Sequence, residues 1–131
     1  MKLLLDTHIW LWSLLEPERL TPAVAAALSD PKTELWLSPV TVWETLMLAE
    51  GRRVELRPDA RSWVAQALRS VAFQEAPLTF EVALETGRLE LPHRDPADRF
   101  IAATARVFGL TLVTADQRLI GAPGLEIMPN R

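Results

Sequence analysis

The feature that most constrains the fold is a run of apolar residues near the amino terminus that ends in an aspartate. Leu3, Leu4 and Leu5 follow one another and lead directly into Asp6. An uninterrupted apolar run of this kind predicts a strand buried on both faces, as in the middle of a parallel sheet. Open α/β sheets bind their ligands beyond the carboxyl ends of their strands. We therefore expect Asp6 to lie at a functional crevice.

The rest of the chain alternates short strand patterns with helical ones. Further strands are predicted over 35–38, 110–114 and 125–128, and a strand interrupted by proline over 73–78. Helices are predicted over 7–15, 22–28, 39–50, 58–71, 79–86 and 96–108, with a short helical turn over 115–120; the predicted caps include Thr7, Thr21, Ser38, Thr79 and Asp95. Alternating strands and helices predict a single α/β domain over residues 1–131, with a mostly parallel sheet.

Composition sets the outer limits on function. The chain of 131 residues is 49% hydrophobic, which is typical of a globular domain rather than a disordered one. It has no cysteine, so thiol catalysis and zinc–thiolate sites are excluded, and no apolar stretch is long enough to span a membrane. We expect a cytoplasmic protein. The net charge of -3 is unusual for a nucleic-acid binder, although the local distribution of charge matters more than its sum.

Four carboxylates occupy positions that are unusual for surface acids. Asp6 and Asp116 each follow the carboxyl end of a predicted strand. Glu44 and Asp98 lie on helix faces whose other members, three and four residues away, are largely apolar. A carboxylate on such a face is costly unless it is paired or binds a cation.

Each acid also has a simpler structural interpretation. Asp95 is a good helix cap before Pro96, Asp98 in the first turn suits the helix dipole, and Asp116 has the place of an ordinary turn aspartate. Glu44 would reach water if it lay at the border of its apolar stripe. Together, however, clustered carboxylates repel one another unless a cation neutralises them. Mg²⁺ or Mn²⁺ suits an all-carboxylate site and assists phosphodiester cleavage.

Competing sites find less support in the sequence. There is no Gly-rich phosphate loop, and neither His8 nor His93 has a partner at metal-ligand spacing, so both are interpreted as structural or surface residues. A phosphoacceptor receiver domain would need a lysine after a late strand, but the chain's lysines are Lys2 and Lys32. A haloacid-dehalogenase-type phosphatase would need a second aspartate two residues after the first, where His8 stands.

At four places the chain resembles the PIN domain, most closely the VapC-like toxin ribonucleases of bacteria. The resembling segments are Leu4–His8, Ser38–Glu44, His93–Arg99 with the following Ile101–Ala103, and Leu112–Asp116. Each segment alone is weakly specific, but all four occur in order and at domain-length spacing. The chain departs from the family branch with Trp-Glu at two places: Leu48 stands where a lysine is common, and the next loop holds Arg52 and Arg53 rather than lysine.

The resemblance implies a three-layer α/β/α sandwich with four to five short strands and a Mg²⁺- or Mn²⁺-dependent endoribonuclease. By matched position it implies metal-site roles for Asp6, Glu44, Asp98 and Asp116, with possible assistance from Asp95 and Thr114. It also implies a toxin that forms a homodimer and is silenced by an antitoxin protein. The alternatives are a non-catalytic PIN-like binding domain, and a metal-dependent nuclease or phosphatase outside a toxin–antitoxin system.

Residues that would hold RNA are less clearly marked. The main concentration of positive charge is Arg52, Arg53, Arg57 and Arg61, which are candidate phosphate contacts but also compatible with a solvated face. The five tryptophans could stack on unpaired bases, but packing in the core or in a dimer is the simpler expectation. An antitoxin helix could use the apolar face around Trp10 and Trp12.

Overall fold

The fold is built around a sheet of five strands, all of whose pairings are parallel. The structure, a computed structural model, describes residues 1–92 and 94–131. The strands are β1 Lys2–Leu5, β2 Glu34–Leu37, β3 Gln74–Glu75, β4 Thr111–Thr114 and β5 Ile127–Pro129. Their order across the sheet is β3-β2-β1-β4-β5, so β1 is central, as its apolar run predicts.

Helices cover both faces of this sheet. They are α1 Thr7–Leu15, α2 Pro22–Ser29, α3 Pro39–Glu50, α4 Ala60–Ser70, α5 Phe80–Glu85 and α6 Pro96–Phe108, with single 3₁₀ turns at Pro17–Arg19 and Thr86–Arg88. None of the helices within the described ranges is long and apolar enough to cross a membrane.

Alternate residues of β1 pack into two separate hydrophobic cores. Leu3 and Leu5 pack in a cluster with residues of α1, α2 and α4, whereas Leu4 packs with residues of α6 and with Leu112. All three leucines are at most 1% exposed. Because successive side chains of a strand point to opposite faces, this division shows that both faces of the sheet are covered. The predicted three-layer α/β/α sandwich is therefore confirmed.

Several predicted boundaries are wrong by a residue or more. The cap of α1 is Asp6 rather than Thr7, because the Asp6 carboxylate accepts a hydrogen bond from the Thr7 amide. Helix α4 begins at Ala60 because Asp59 caps it. The predicted helical turn over 115–120 is absent, and residues 117–120 form hydrogen-bonded turns, in the first of which the Leu119 amide donates to the Asp116 carbonyl. The prediction for His93 lies outside the described residues.

Candidate metal centre

Asp6 is held rigidly between two hydrogen-bond donors at the end of the central strand. The Thr7 amide donates to Oδ1 at 2.8 Å, and the Thr114 hydroxyl donates to Oδ2 at 2.7 Å. The residue is only 8% exposed. Each carboxylate oxygen has two lone pairs, so both oxygens keep capacity for another ligand.

Thr114 connects two of the predicted site acids. It is the last residue of β4 and is fully buried. Its hydroxyl donates to Asp6 and accepts a hydrogen bond from the Asp116 amide at 3.0 Å. One side chain thus fixes the carboxylate that follows β1 against the start of the turn that follows β4.

Glu44 reaches the same place from α3. The Thr7 hydroxyl donates to Glu44 Oε1, which ties α3 to the first turn of α1. The stripe on which Glu44 lies is apolar as predicted, but only its amino-terminal part is buried: Val40 is 6% exposed and Met47 is 41% exposed. Glu44, between these two positions, is accordingly half-buried.

Asp98 lies in the first turn of α6 on the buried side of that helix. The neighbours that share its face, Ile101, Ala102 and Ala105, are at most 2% exposed, and Asp98 itself is 8% exposed. Asp95 has the predicted capping role, because its Oδ1 accepts hydrogen bonds from the Ala97 and Asp98 amides at 3.0 and 3.3 Å. The two acids of α6 therefore differ: one caps the helix, and the other faces the core side of the site.

Burial and mutual repulsion raise the pKa of three of these acids. Loss of solvation raises the pKa of Asp6, against the lowering effect of the Thr114 hydrogen bond. Loss of solvation likewise raises the pKa of Glu44, with the Thr7 hydrogen bond opposing it. The pKa of Asp98 rises to about 7, first through desolvation and then through the negative charge of Asp6. A bound cation would reverse both effects.

A cationic side chain that the sequence reasoning missed already lies among these acids. Arg118 pairs with both oxygens of Asp116, with Nε 3.1 Å from Oδ1 and Nη2 2.9 Å from Oδ2. The same Nη2 is 3.6 Å from Asp98 Oδ2. Its position two residues after Asp116 was the available signal, because a bidentate arginine pair is possible at that spacing in a turn. Arg118 thus supplies part of the positive charge that the acids require.

The structure brings all four predicted metal-site acids to one open pocket of about 480 Å³. Its lining residues are Asp6, His8, Trp12, Arg19, Glu44, Asp95, Asp98, Ala115, Asp116 and Arg118. Carboxylate oxygens dominate this set, and hard divalent cations such as Mg²⁺ and Mn²⁺ prefer such donors. Among the described residues, no three His, Asp or Glu side chains are already grouped tightly enough to hold a metal ion.

The predicted arginine cluster lies elsewhere. Arg52, Arg53 and Arg57 are exposed, and so far as the described residues define the acid pocket, they do not line it. Arg57 pairs with Glu55 at 2.7 Å, and Arg53 lines a neighbouring pocket. Arg19, which the sequence reasoning did not single out, lines both that neighbouring pocket and the acid pocket.

The tryptophans have different environments. Trp10 is fully buried in the core and packs edge-on against Trp63, as the packing interpretation predicts. Trp43, next to Glu44, is 55% exposed, and Trp12 is half-buried at the acid pocket. At least two rings are thus accessible for contacts outside the core.

Comparisons with known proteins agree with this architecture. A family model described as the PIN domain matches residues 3–125. Ribonuclease VapC22 of Mycobacterium tuberculosis is 37% identical over 119 residues, which cover 88% of this chain and 88% of that protein.

Solved structures match over almost the whole chain. VapBC2 from Rickettsia felis, bound to a DNA fragment from its promoter, is similar with a TM-score of 0.74 at 15% identity, over 98% of both chains. FitAcB from Neisseria gonorrhoeae is similar with a TM-score of 0.68 at 25% identity, over 98% of this chain and 97% of that one. The fold, the four motifs and the family match all lead to one assignment: this chain belongs to the PIN-domain family.

Proposed function

We propose that the protein is the toxin of a toxin–antitoxin pair, an endoribonuclease that hydrolyses RNA phosphodiester bonds with Mg²⁺ or Mn²⁺. The observation that carries this proposal is the convergence of Asp6, Glu44, Asp98 and Asp116, from four separate places in the chain, on one pocket. The relationship to a protein named as a ribonuclease supports the same reaction. Such an enzyme would act in the cytoplasm, where its RNA substrates are.

The four acids would hold the cation, and PIN-domain ribonucleases are in general metal-dependent. When bound, Mg²⁺ or Mn²⁺ activates water and stabilises negative charge on phosphate oxygens. The chain's own contribution is preorganisation, because Thr114 and Thr7 fix the Asp6 and Glu44 carboxylates before any ligand arrives. Without the cation Asp98 has a pKa of about 7, and a bound cation would lower it, so that Asp98 would hold the cation as a carboxylate at neutral pH.

Two protein partners follow from the same proposal: an antitoxin and a second copy of the chain. Solved structures that match this fold include VapBC complexes and a toxin–antitoxin complex from Klebsiella pneumoniae. On α5 the large side chains of Phe80 and Leu84, one helical turn apart, are 92% and 76% exposed. Exposed apolar side chains of this size are typical of protein interfaces.

The direct test is cleavage of labelled RNA and DNA panels by purified protein with Mg²⁺, Mn²⁺ or EDTA. We expect metal-dependent cleavage of RNA, and a loss of about 10²-fold or more in rate in Asp6→Ala and Asp98→Asn, the scale that loss of one electrostatic catalytic group produces. Asp59→Asn is the matched control, because this exposed acid caps α4 and asparagine caps equally well. Undiminished cleavage by both site variants would refute the site assignment.

The toxin role needs a separate experiment. The protein encoded by the adjacent open reading frame should bind the chain and suppress cleavage when the two are mixed. Growth arrest on expression of the wild type, absent in Asp98→Asn and relieved by that neighbour, is the expected result. Cleavage without toxicity or a neutralising neighbour would instead indicate a nuclease outside a toxin–antitoxin system.

A further inference from the structure

A second pocket of about 340 Å³ adjoins the acid pocket and shares part of its wall. His8, Trp12 and Arg19 line both pockets. The second pocket is completed by apolar residues of α1, by the end of α3 and by Arg53 from the loop that follows. Its volume lies at the lower end of the range for ligand sites, roughly 300–1,000 Å³, which suits a single nucleotide better than a folded RNA.

The two pockets differ in charge. Five carboxylates line the acid pocket, whereas the second pocket has Arg19 and Arg53 and a single acid, Glu16. Glu16 is itself paired with Arg19, with Oε2 3.2 Å from Nη1. A polyanionic strand that enters the acid pocket would therefore make its favourable phosphate contacts with the arginines of the second pocket.

The shared wall is formed by two aromatic rings and a guanidinium that lie close together. The Arg19 guanidinium carbon lies 4.2 Å from the centroid of the Trp12 ring, and the His8 ring lies 5.9 Å from it at a tilt of 54°. Unpaired bases stack on tryptophan and histidine rings and on arginine guanidinium planes. All three kinds of surface lie at the boundary between the two pockets, beside the acids of the proposed cleavage site.

We propose that this second pocket, which we call the flanking pocket, binds one unpaired nucleotide next to the scissile phosphodiester of an RNA strand. The base stacks on the Trp12, His8 and Arg19 wall, while Arg19 and Arg53 contact the adjoining phosphates. The inference rests on the proposed ribonuclease function, since it names the subsite that positions the same substrate. In this proposal Arg53 contacts RNA, as predicted from the sequence, and Arg19 takes the role that the sequence suggested for Arg57.

The test measures binding in EDTA, so it does not depend on cleavage. Fluorescence anisotropy of a labelled single-stranded RNA decamer gives Kd between 50 and 200 mM salt. Arg19→Ala and Arg53→Ala should each reduce the slope of log K against log salt by about 0.7, the contribution of one phosphate contact on a single strand. Arg69→Ala, an exposed arginine of α4 that pairs with Gln66, is the control and should leave the slope unchanged.

The stacking contact is tested with an abasic decamer. Trp12→Leu should weaken binding of intact RNA about 5- to 150-fold, the range for one lost base–aromatic stack, and leave the abasic Kd unchanged. Trp12→Phe retains a ring and should lose less, which separates stacking from a general loss of structure. Thermal unfolding in EDTA checks that the variants fold.

The results distinguish the flanking pocket from the enzyme function. Equal RNA binding and equal salt slopes in all variants would overturn the flanking pocket even if the wild type cleaves RNA. Binding that depends on Trp12 and Arg19 without any cleavage would retain the pocket and refute the ribonuclease function. If the variants bind RNA normally but no longer bind the protein encoded by the adjacent gene, the pocket is a protein-docking site and our inference is wrong.

Discussion

Replacing Asp98 by the uncharged asparagine should make the metal-free protein more stable at neutral and higher pH. Burial and neighbouring acids raise the pKa of Asp98 from 3.8 to about 7. A shift of this size corresponds to about 4 kcal/mol of cost for the charged form. The pocket is open to water and Arg118 offsets part of the repulsion, so we expect Asp98→Asn to gain about 1–3 kcal/mol in free energy of unfolding at pH 8.

The pH dependence gives this prediction its sign. The folded protein binds the Asp98 proton more tightly than the unfolded chain does, so wild-type stability from this group is fully present below pH 4. It is lost as pH rises from 3.8 through about 7. The advantage of Asp98→Asn should therefore be near zero at pH 4, grow across this window and level off above it.

Urea unfolding in EDTA at a series of pH values measures the difference directly. Asp59→Ala is the control of opposite sign, because hydrogen bonds from Ser62 lower the pKa of that exposed capping acid. Its loss should destabilise the protein at neutral pH, and this effect should shrink as pH falls through the lowered pKa. If Asp98→Asn is no more stable than the wild type at pH 8, Asp98 carries no desolvation cost and our account of the site is wrong.

Two further substitutions test the contacts around the acids. Arg118→Ala removes the cation paired with Asp116, so the melting temperature in EDTA should fall. Adding Mn²⁺ should then raise the melting temperature of this variant more than that of the wild type. An equal rise in both proteins would show that Arg118 does not compete with the metal. Thr114→Val removes the hydroxyl between Asp6 and Asp116 at nearly constant volume, so unfolding free energy should fall by about 1–3 kcal/mol and RNA cleavage should slow. Thr114→Ser retains the hydroxyl and should recover both; failure to do so would contradict the role of the hydrogen bonds.

The fold was predictable because its main signals are local. The apolar run before Asp6 indicates a central strand, and the caps at Ser38 and Asp95 set the starts of α3 and α6 to the residue. The positions of the acids follow from the same signals. A residue that comes directly after a parallel strand must lie near the carboxyl edge of the sheet, so the convergence of Asp6 and Asp116 could be inferred without coordinates.

The contacts that orient these acids were not predictable in the same way. Thr7 and Asp6 are both good caps and adjacent, so pattern alone could not decide between them; packing against α3 does, by directing the Thr7 hydroxyl to Glu44. Arg118 and Arg19 reach the pocket from a turn and from a 3₁₀ segment. The direction of a long side chain from such a segment depends on tertiary contacts that have no periodic pattern in the sequence.

The comparison of magnitudes separates structural acids from functional ones. A carboxylate in the first turn of a helix gains roughly 0.3–1 kcal/mol from the helix dipole. That gain accounts for Asp95, which is exposed and bonded to two amides, but not for Asp98, whose charged form costs about 4 kcal/mol by its raised pKa. Because capping cannot offset this cost, Asp98 weakens the metal-free fold. An acid that weakens the fold beside three others is explained physically if the group binds a cation, as we propose.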